Sequence, residues 1–188
     1  RCNFFCKTCL KGYEAYYAED LNAPIKDKVE REVMPYNKRI SITGFGEPTL
    51  ASDFTNILDM GINNGSQVHF VTNASLLNFE RIEMLTKNPV DITISFDGGT
   101  KETFESVRAG SNFERTLEKL AMIKKLRDVY LSNITSRFLF NFVALRENIH
   151  ELTEVVRIAD RYDIRNVGVA DYSFNDKEYD EQSLRYAP

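Results

Sequence analysis

All three cysteines of the chain lie in the segment Arg1-Cys2-Asn3-Phe4-Phe5-Cys6-Lys7-Thr8-Cys9, in the spacing Cys-x3-Cys-x2-Cys. Three thiolates on so short a loop can converge on one metal centre, and soft sulfur ligands select zinc, copper(I) or iron–sulfur clusters over hard cations. A closed structural zinc site takes four protein ligands, and a cubane iron–sulfur cluster normally takes four cysteines. With only three, a bound cluster would keep one iron open for chemistry.

The composition is that of an ordinary single domain, with 188 residues of which 43% are hydrophobic and 28% charged. This length is enough to bury a substantial core. The net charge of −4 argues against nonspecific binding to nucleic acid or to anionic membranes. No run has the length and apolarity of a membrane span, and no secretory signal is present. Three clustered cysteines make a poor disulfide framework, so we expect a cytoplasmic protein.

Strands and helices alternate along the chain. Runs rich in β-branched and aromatic residues predict strands at Arg39–Thr43, Val68–Thr72, Val90–Phe96, Arg137–Val143 and Asn166–Ala170. Apolar residues at helical spacing, with capping and breaking residues, predict helices at Asp20–Met34 (ended by Pro35), at Ser52–Met60, at Phe79–Thr86, after a Ser111/Glu114 capping box and after an Asn148/Glu151 capping box. This rhythm predicts βα units and a parallel sheet. Periodicity alone does not separate an open barrel from a doubly wound sheet.

The strand that ends at Asp97 has a polar face, because Thr93, Ser95 and Asp97 alternate with apolar residues. A strand inside a parallel sheet is apolar on both faces unless one face lines a polar cavity. An exposed edge strand would also explain the pattern. We favour the first interpretation, which places Ser95 and Asp97 in a cavity at the top of a barrel.

Gly44-Phe45-Gly46-Glu47-Pro48 follows a predicted strand, at the edge where α/β folds bind ligands. Glycines there let the backbone approach a ligand closely, although such a pentapeptide alone would be read as a plain turn. Together with the cysteine spacing it resembles the radical S-adenosylmethionine (SAM) superfamily. That family carries Cys-x3-Cys-x2-Cys after its first barrel strand and a Gly-Gly-Glu-Pro motif, in which Phe45 here replaces one glycine.

A second group of motifs resembles one branch of that superfamily, whose members often carry a C-terminal cysteine-rich SPASM domain. The motifs are Ser95-Phe96-Asp97-Gly98, then Arg108-Ala109-Gly110 and Asn112-Phe113-Glu114. By itself, Arg108 would be read as a solvated cation at a helix end. In the branch, the matching serine and arginine contact SAM, the arginine through the SAM carboxylate. Guanidinium–carboxylate pairing is the chemistry suited to such a contact.

The resemblance implies an α/β fold, a partial (β/α)6 TIM-like barrel of parallel strands whose first strand we expect to be missing here. It implies that Cys2, Cys6 and Cys9 ligate a [4Fe–4S] cluster. The cofactors would be this cluster and SAM, which is cleaved reductively to a radical that abstracts a substrate hydrogen. The remaining implied cofactor-binding residues are Gly46 and Glu47 at the SAM amino group, Asn73 in a Thr-Asn-Gly-like motif, Ser95, Asp97 and Arg108.

The implied partners are a small-molecule or peptide substrate and an external electron donor of the flavodoxin or ferredoxin type, with no nucleic acid and no membrane. Neither the substrate nor a catalytic residue is specified by the sequence. We expect residues 1–171 to be the radical SAM core domain and 172–188 to be a tail or the start of a following segment. The expected substrate class spans peptides, proteins and small metabolites.

One departure from the family pattern keeps two alternatives open. Thr8 stands before the third cysteine, where relatives usually have an aromatic residue near the adenine, which leaves Phe4 or Phe5 for that contact. The first alternative is a degenerate member that binds SAM without radical chemistry. The second is a non-catalytic zinc module that uses the barrel as a protein-binding scaffold. The two histidines, His69 and His150, are predicted to be structural or solvated.

Overall fold

The computed structural model describes residues 1–9, 20–130, 136–172 and 183–184. Within these residues, five strands form a parallel sheet in the order β2-β3-β4-β6-β7. Their bounds are β2 Arg39–Ile42, β3 Gln67–Thr72, β4 Val90–Ser95, β6 Arg137–Ala144 and β7 Val167–Asp171. Two short strands, β1 (Phe5–Cys6) and β5 (Arg108–Ala109), pair antiparallel away from that sheet. The five predicted strands and the parallel α/β arrangement are therefore confirmed.

Helices alternate with the strands of the parallel sheet. They are α1 Ala23–Glu32, α2 Phe54–Asn63, α3 Phe79–Lys87, α4 Lys101–Val107, α5 Phe113–Val129 and α6 Leu152–Arg161. One face of the sheet forms the main core, in which Phe70, Ile92 and Phe140 pack with apolar helix residues such as Leu85 and Leu120. Among the residues that the structure describes, no helix combines the length and apolar character needed to cross a bilayer.

The opposite face of the sheet carries the polar residues that the strand pattern predicts. His69 on β3 bonds through Nδ1 to Ser41 Oγ at 2.7 Å and through Nε2 to Thr93 Oγ1 at 3.0 Å, so hydroxyls of both neighbouring strands hold the ring. Strand β4 lies between β3 and β6 at the centre of the sheet, and the edge-strand alternative is wrong. On its polar face, Thr93 and Ser95 are half-buried.

Both predicted capping boxes are wrong. Helix α5 is capped by Asn112, whose Oδ1 accepts from Arg115 N at 2.8 Å, so the helix begins one residue later than the Ser111/Glu114 pattern predicts. Asn148 caps nothing with its side chain, because its Oδ1 accepts from Leu145 N at 2.7 Å and a 3₁₀ turn precedes α6. Long-range and backward contacts compete with local capping for such short polar side chains.

The first helix is shorter than predicted. Asn22 accepts from Ile25 N at 3.1 Å and caps α1, which ends at Glu32 instead of Met34. Pro35 lies in the 3₁₀ turn Met34–Tyr36 that follows. Of the expected tail 172–188, residues 173–182 and 185–188 lie outside the described residues.

Candidate cofactor site

A cavity of about 580 Å³ lies at the carboxyl ends of the parallel strands. The turn after β2 and the last residues of β3, β4 and β6 contribute to its wall. Every predicted site residue except Asp97 lines it: Cys2, Cys6, Cys9, Gly46, Glu47, Asn73, Ser95 and Arg108. Residues far apart in sequence meet here because parallel strands end at one edge of a sheet.

The segment of residues 1–9, here called the cysteine loop, is fixed on one side by the β1–β5 pairing. In this pair Cys6 lies opposite Arg108, and Lys7 N extends the ladder by donating to Val107 O at 2.8 Å. The Lys7 ammonium also reaches Glu147 Oε2 at 2.8 Å. A metal-ligand candidate and a SAM-contact candidate are therefore neighbours on paired backbone. Two-residue strands have no periodicity, and sequence reasoning missed this pairing.

On its other side the cysteine loop is fixed to the ends of β2 and β3. Asn3 Oδ1 accepts from Asn73 Nδ2 at 3.0 Å, and Asn3 Nδ2 donates to Ser75 Oγ at 2.9 Å. The carbonyl oxygen of Arg1 accepts from Glu47 N at 2.7 Å. Asn73 thus supports the loop directly, whatever contact it makes with a ligand.

The three cysteines form no disulfide with one another, and all three are partly buried. Burial raises the pKa of the Cys6 thiol, and the neighbouring Cys2 and Cys9 raise it further, while Arg108 opposes the shift. Among the described residues, no three His, Cys, Asp or Glu side chains are placed to hold a single metal ion. A cubane binds each cysteine through a different iron, so its ligands share a cavity wall instead of one ion. Three soft donors on the wall of one cavity fit such a cluster.

The turn of residues 44–48, the glycine turn, passes directly over the cysteine loop. Gly46 has a φ of +154°, and a Cβ at this position would lie 2.7 Å from Arg1 O. Gly44 has nearly the same φ, +151°, but a Cβ there would meet nothing within 4 Å. Glycine is therefore required at 46 both for its conformation and for the close backbone approach.

Glu47 is 4% exposed, and its carboxylate accepts hydrogen bonds from other residues of the chain. Oε1 accepts from Thr49 N at 3.2 Å, from Thr49 Oγ1 at 2.6 Å and from Thr72 Oγ1 at 2.6 Å. Oε2 accepts from Asn73 N at 2.6 Å. These bonds join the glycine turn to the end of β3. The predicted contact of Glu47 with the SAM amino group stays a prediction.

Arg108 is not a solvated cation, since it is 6% exposed and lines the cavity. Its Nη1 donates to Asp97 Oδ2 at 2.6 Å, and its Nε, itself buried, has no hydrogen-bond partner among the described residues. Burial lowers the pKa of Arg108, but the neighbouring Asp97 carboxylate and other acidic groups outweigh it and the pKa is raised. The guanidinium is therefore charged at the cavity wall.

The prediction that Asp97 lies in the cavity is wrong. Asp97 is fully buried and does not line the cavity, whereas Ser95 does. The chain returns through α4 to place Arg108 on the wall, and Asp97 contacts that arginine and accepts from Val143 N at 2.7 Å. Asn148, which sequence reasoning assigned to a helix cap, donates to Asp97 O at 3.0 Å. No sequence signal distinguishes such an asparagine from a cap.

The family model of the radical SAM superfamily matches residues 1–159. This chain belongs to the radical SAM superfamily. Membership implies the cofactors that the cysteine spacing predicts, a [4Fe–4S] cluster and SAM. The donors on the cavity wall fit both groups: three thiols for the cluster, and a charged arginine for a carboxylate.

Two curated relatives of this radical SAM chain carry different activities in their names. The mycofactocin maturase MftC of Mycobacterium ulcerans is 31% identical over 169 residues, which cover 86% of this chain and 42% of the maturase. The AdoMet-dependent heme synthase of Methanosarcina barkeri is 28% identical over 161 residues, covering 84% of this chain and 44% of the synthase. The chain thus spans less than half the length of these relatives.

Solved structures of the superfamily share the fold. SuiB of Streptococcus suis, in complex with S-adenosylmethionine, superimposes with a TM-score of 0.75 at 21% identity over 96% of this chain and 40% of that chain. The enzyme anSMEcpe with bound AdoMet gives a TM-score of 0.74 at 17% identity over 97% of this chain and 52% of that chain. The partial TIM-like barrel expected from the sequence is confirmed.

Proposed function

We propose that this chain is the core of a radical SAM enzyme that modifies a peptide. The observation that carries the proposal is the convergence of Cys2, Cys6 and Cys9 with Ser95 and Arg108 on one cavity in a chain of this family. When bound and reduced, the cluster supplies the electron that cleaves SAM into a radical able to abstract a substrate hydrogen. The zinc-scaffold alternative has no observation in its favour.

The chain's own residues would bind and orient SAM. The three thiols, as thiolates, ligate the cluster, and their protons are released on binding. Arg108, which lines the cavity, donates to the SAM carboxylate. Ser95 contributes a hydroxyl beside it, and backbone atoms of the glycine turn receive the SAM amino group. Glu47 and Asn73 act by holding that turn and the cysteine loop in place.

The substrate class is proposed from the relatives. One is named a maturase and another a peptide cyclase, and SuiB has been solved bound to its precursor peptide SuiA. We therefore favour a peptide over a small metabolite, together with an external electron donor of the flavodoxin or ferredoxin type. Residues 1–171 would form the catalytic core, in the branch whose members often carry a SPASM domain.

The decisive experiment is anaerobic cluster reconstitution of the chain and of its cysteine variants. Cys2→Ala, Cys6→Ala and Cys9→Ala should each lose the cluster, because the chain has no fourth cysteine to substitute. Thr8→Ala is the matched control, since it alters the same loop without removing a thiol. Iron and acid-labile sulfide are counted per chain, and zinc is measured in the same samples.

A cubane corresponds to about four irons with matching sulfide in the parent chain and in Thr8→Ala. Zinc without sulfide, or a full cluster in any single cysteine variant, would refute the ligand assignment. Incubation of the loaded chain with dithionite and SAM, followed by quantification of 5′-deoxyadenosine, then tests the activity. A loaded chain that binds SAM and never forms deoxyadenosine would support the degenerate member instead.

A further inference from the structure

We propose that Asp97 and Asn148 are positioning residues, which fix the Arg108 guanidinium so that its cavity-facing part meets the SAM carboxylate. This inference rests on the proposed function and deepens it. It concerns two fully buried side chains that do not line the cavity themselves and act on a ligand through a third residue.

Asp97 joins Arg108 to the central strands. One carboxylate oxygen accepts from Arg108 Nη1 at 2.6 Å, and the other accepts from Val143 N at the end of β6 at 2.7 Å. Because Val143 N belongs to a strand of the main sheet, the carboxylate cannot turn without breaking a sheet-end contact. Arg108 is therefore held by a rigid element, which is what precise ligand placement requires.

Asn148 fixes the backbone around that carboxylate. Its Nδ2 donates both to Asp97 O at 3.0 Å and to Val143 O at 2.9 Å, and its Oδ1 accepts from Leu145 N at 2.7 Å. One amide thus joins the segment after β4 to the end of β6 and the residue that follows it. Both polar atoms of the side chain are satisfied, through three hydrogen bonds, as expected for a fully buried group.

The position of Arg108 indicates an anionic ligand. Asp97 and Asn148 have their hydrogen bonds and do not line the cavity, whereas Arg108 is 6% exposed and lines it. A charge buried this far is costly unless it is paired, and an anion in the cavity would add a second partner to the one that Asp97 supplies. A carboxylate suits it, since guanidinium groups bind carboxylates through two parallel N–H donors.

A pair of ligands separates positioning from mere stability. SAM and decarboxylated SAM differ by the carboxylate that Arg108 would bind, so the ratio of their dissociation constants reports on this contact. Binding is measured by anaerobic calorimetry on the cluster-loaded chain. In Asp97→Asn, the amide can serve Arg108 or Val143 N but not both, because its nitrogen donates. We expect SAM affinity to fall about tenfold and the affinity for decarboxylated SAM to stay within about twofold. The preference for SAM over decarboxylated SAM should therefore be largely lost.

The matched control is Asp91→Asn, at the opposite end of β4. Asp91 is also buried and accepts from one arginine through both oxygens, from Arg137 Nε at 2.7 Å and from Arg137 Nη2 at 2.6 Å, but it does not line the cavity. Asp91→Asn should lower the melting temperature of the unloaded chain without changing the ligand ratio. Arg108→Gln is the reference for complete loss of the carboxylate preference.

Each outcome decides the question. If Asp97→Asn weakens both ligands equally, Asp97 is only structural and the inference is wrong while the proposed function stands. If the parent chain binds neither ligand, or binds both equally, the role proposed for Arg108 fails as well. Should Asp97→Asn not fold, Asn148→Ser tests the same contacts, and an unchanged ratio in that folded variant overturns the inference.

Discussion

Glu47→Gln should destabilise the chain in the absence of any cofactor. A residue that only bound the SAM amino group would leave the unloaded fold unchanged when altered. The structure instead has four donors on this carboxylate, among them the backbone N–H groups of Thr49 and Asn73. The substitution keeps the shape of the side chain and replaces one acceptor oxygen by a donor.

The size of this destabilisation follows from counting the hydrogen-bond acceptors left to the donors around residue 47. If the glutamine oxygen faces Thr49 and Thr72, the amide nitrogen opposes Asn73 N. If the amide turns over, the threonine hydroxyls can accept from it, but Thr49 N loses its acceptor. Either way one buried backbone donor is unpaired, at a cost of about 1–3 kcal/mol. For a chain of this size that corresponds to a fall in melting temperature of roughly 2–12 °C.

Differential scanning calorimetry of the unloaded chain under reducing conditions measures the effect. Glu118→Gln, on the exposed surface of α5, is the control and should shift the melting temperature by less than about 2 °C, because exposed substitutions are usually worth under ~0.5 kcal/mol. If Glu47→Gln melts with the parent chain while losing SAM affinity, the carboxylate is a ligand contact and our account of its bonds is wrong.

Two further predictions use contrasts within the chain. Gly46→Ala should lower the yield of cluster in reconstitution, because its Cβ would meet Arg1 O at 2.7 Å. Gly44→Ala is the control, since it has nearly the same unfavourable φ without that contact. Equal cluster yields in the two variants would refute the steric argument. Burial, and then the charge of Arg39, lower the pKa of His69. Below pH about 6.5 the unfolded chain therefore takes up a proton that the folded chain does not, and stability is lost as the pH falls. His69→Gln should remove this loss of stability. Between pH 7.5 and 5.5 the melting temperature of the variant should therefore rise relative to that of the parent chain. A constant difference between the two would refute the role given to His69.

The fold, and the convergence of most candidate site residues on one cavity, could be predicted from sequence because both depend on patterns that repeat or converge. β-Branched and aromatic runs mark the five strands, and ligand residues at strand ends meet at one edge of a parallel sheet. Cys6, Gly46 and Ser95 therefore meet as expected. Their order along the chain was enough to predict this, because a parallel sheet brings the carboxyl ends of its strands to one edge.

The rest could not be predicted, for reasons that are local and physical. Side chains after Ser95 leave the strand alternation, so period-two reasoning no longer gives the direction of Asp97. Asn148 and Asn112 have similar local patterns, yet only Asn112 caps a helix. Whether a short polar side chain bonds to a local or a distant partner is decided only once the fold has brought the distant partner near.

The backbone pairing of Cys6 with Arg108 gives the site a thermodynamic property. If Cys6 holds the cluster and Arg108 holds SAM, ordering either residue also orders the other through the same main-chain hydrogen bonds. Such coupling is reciprocal: the free energy by which a bound cluster favours SAM equals that by which bound SAM favours retention of the cluster. The substrate of the first step would thus protect the metal centre that acts on it.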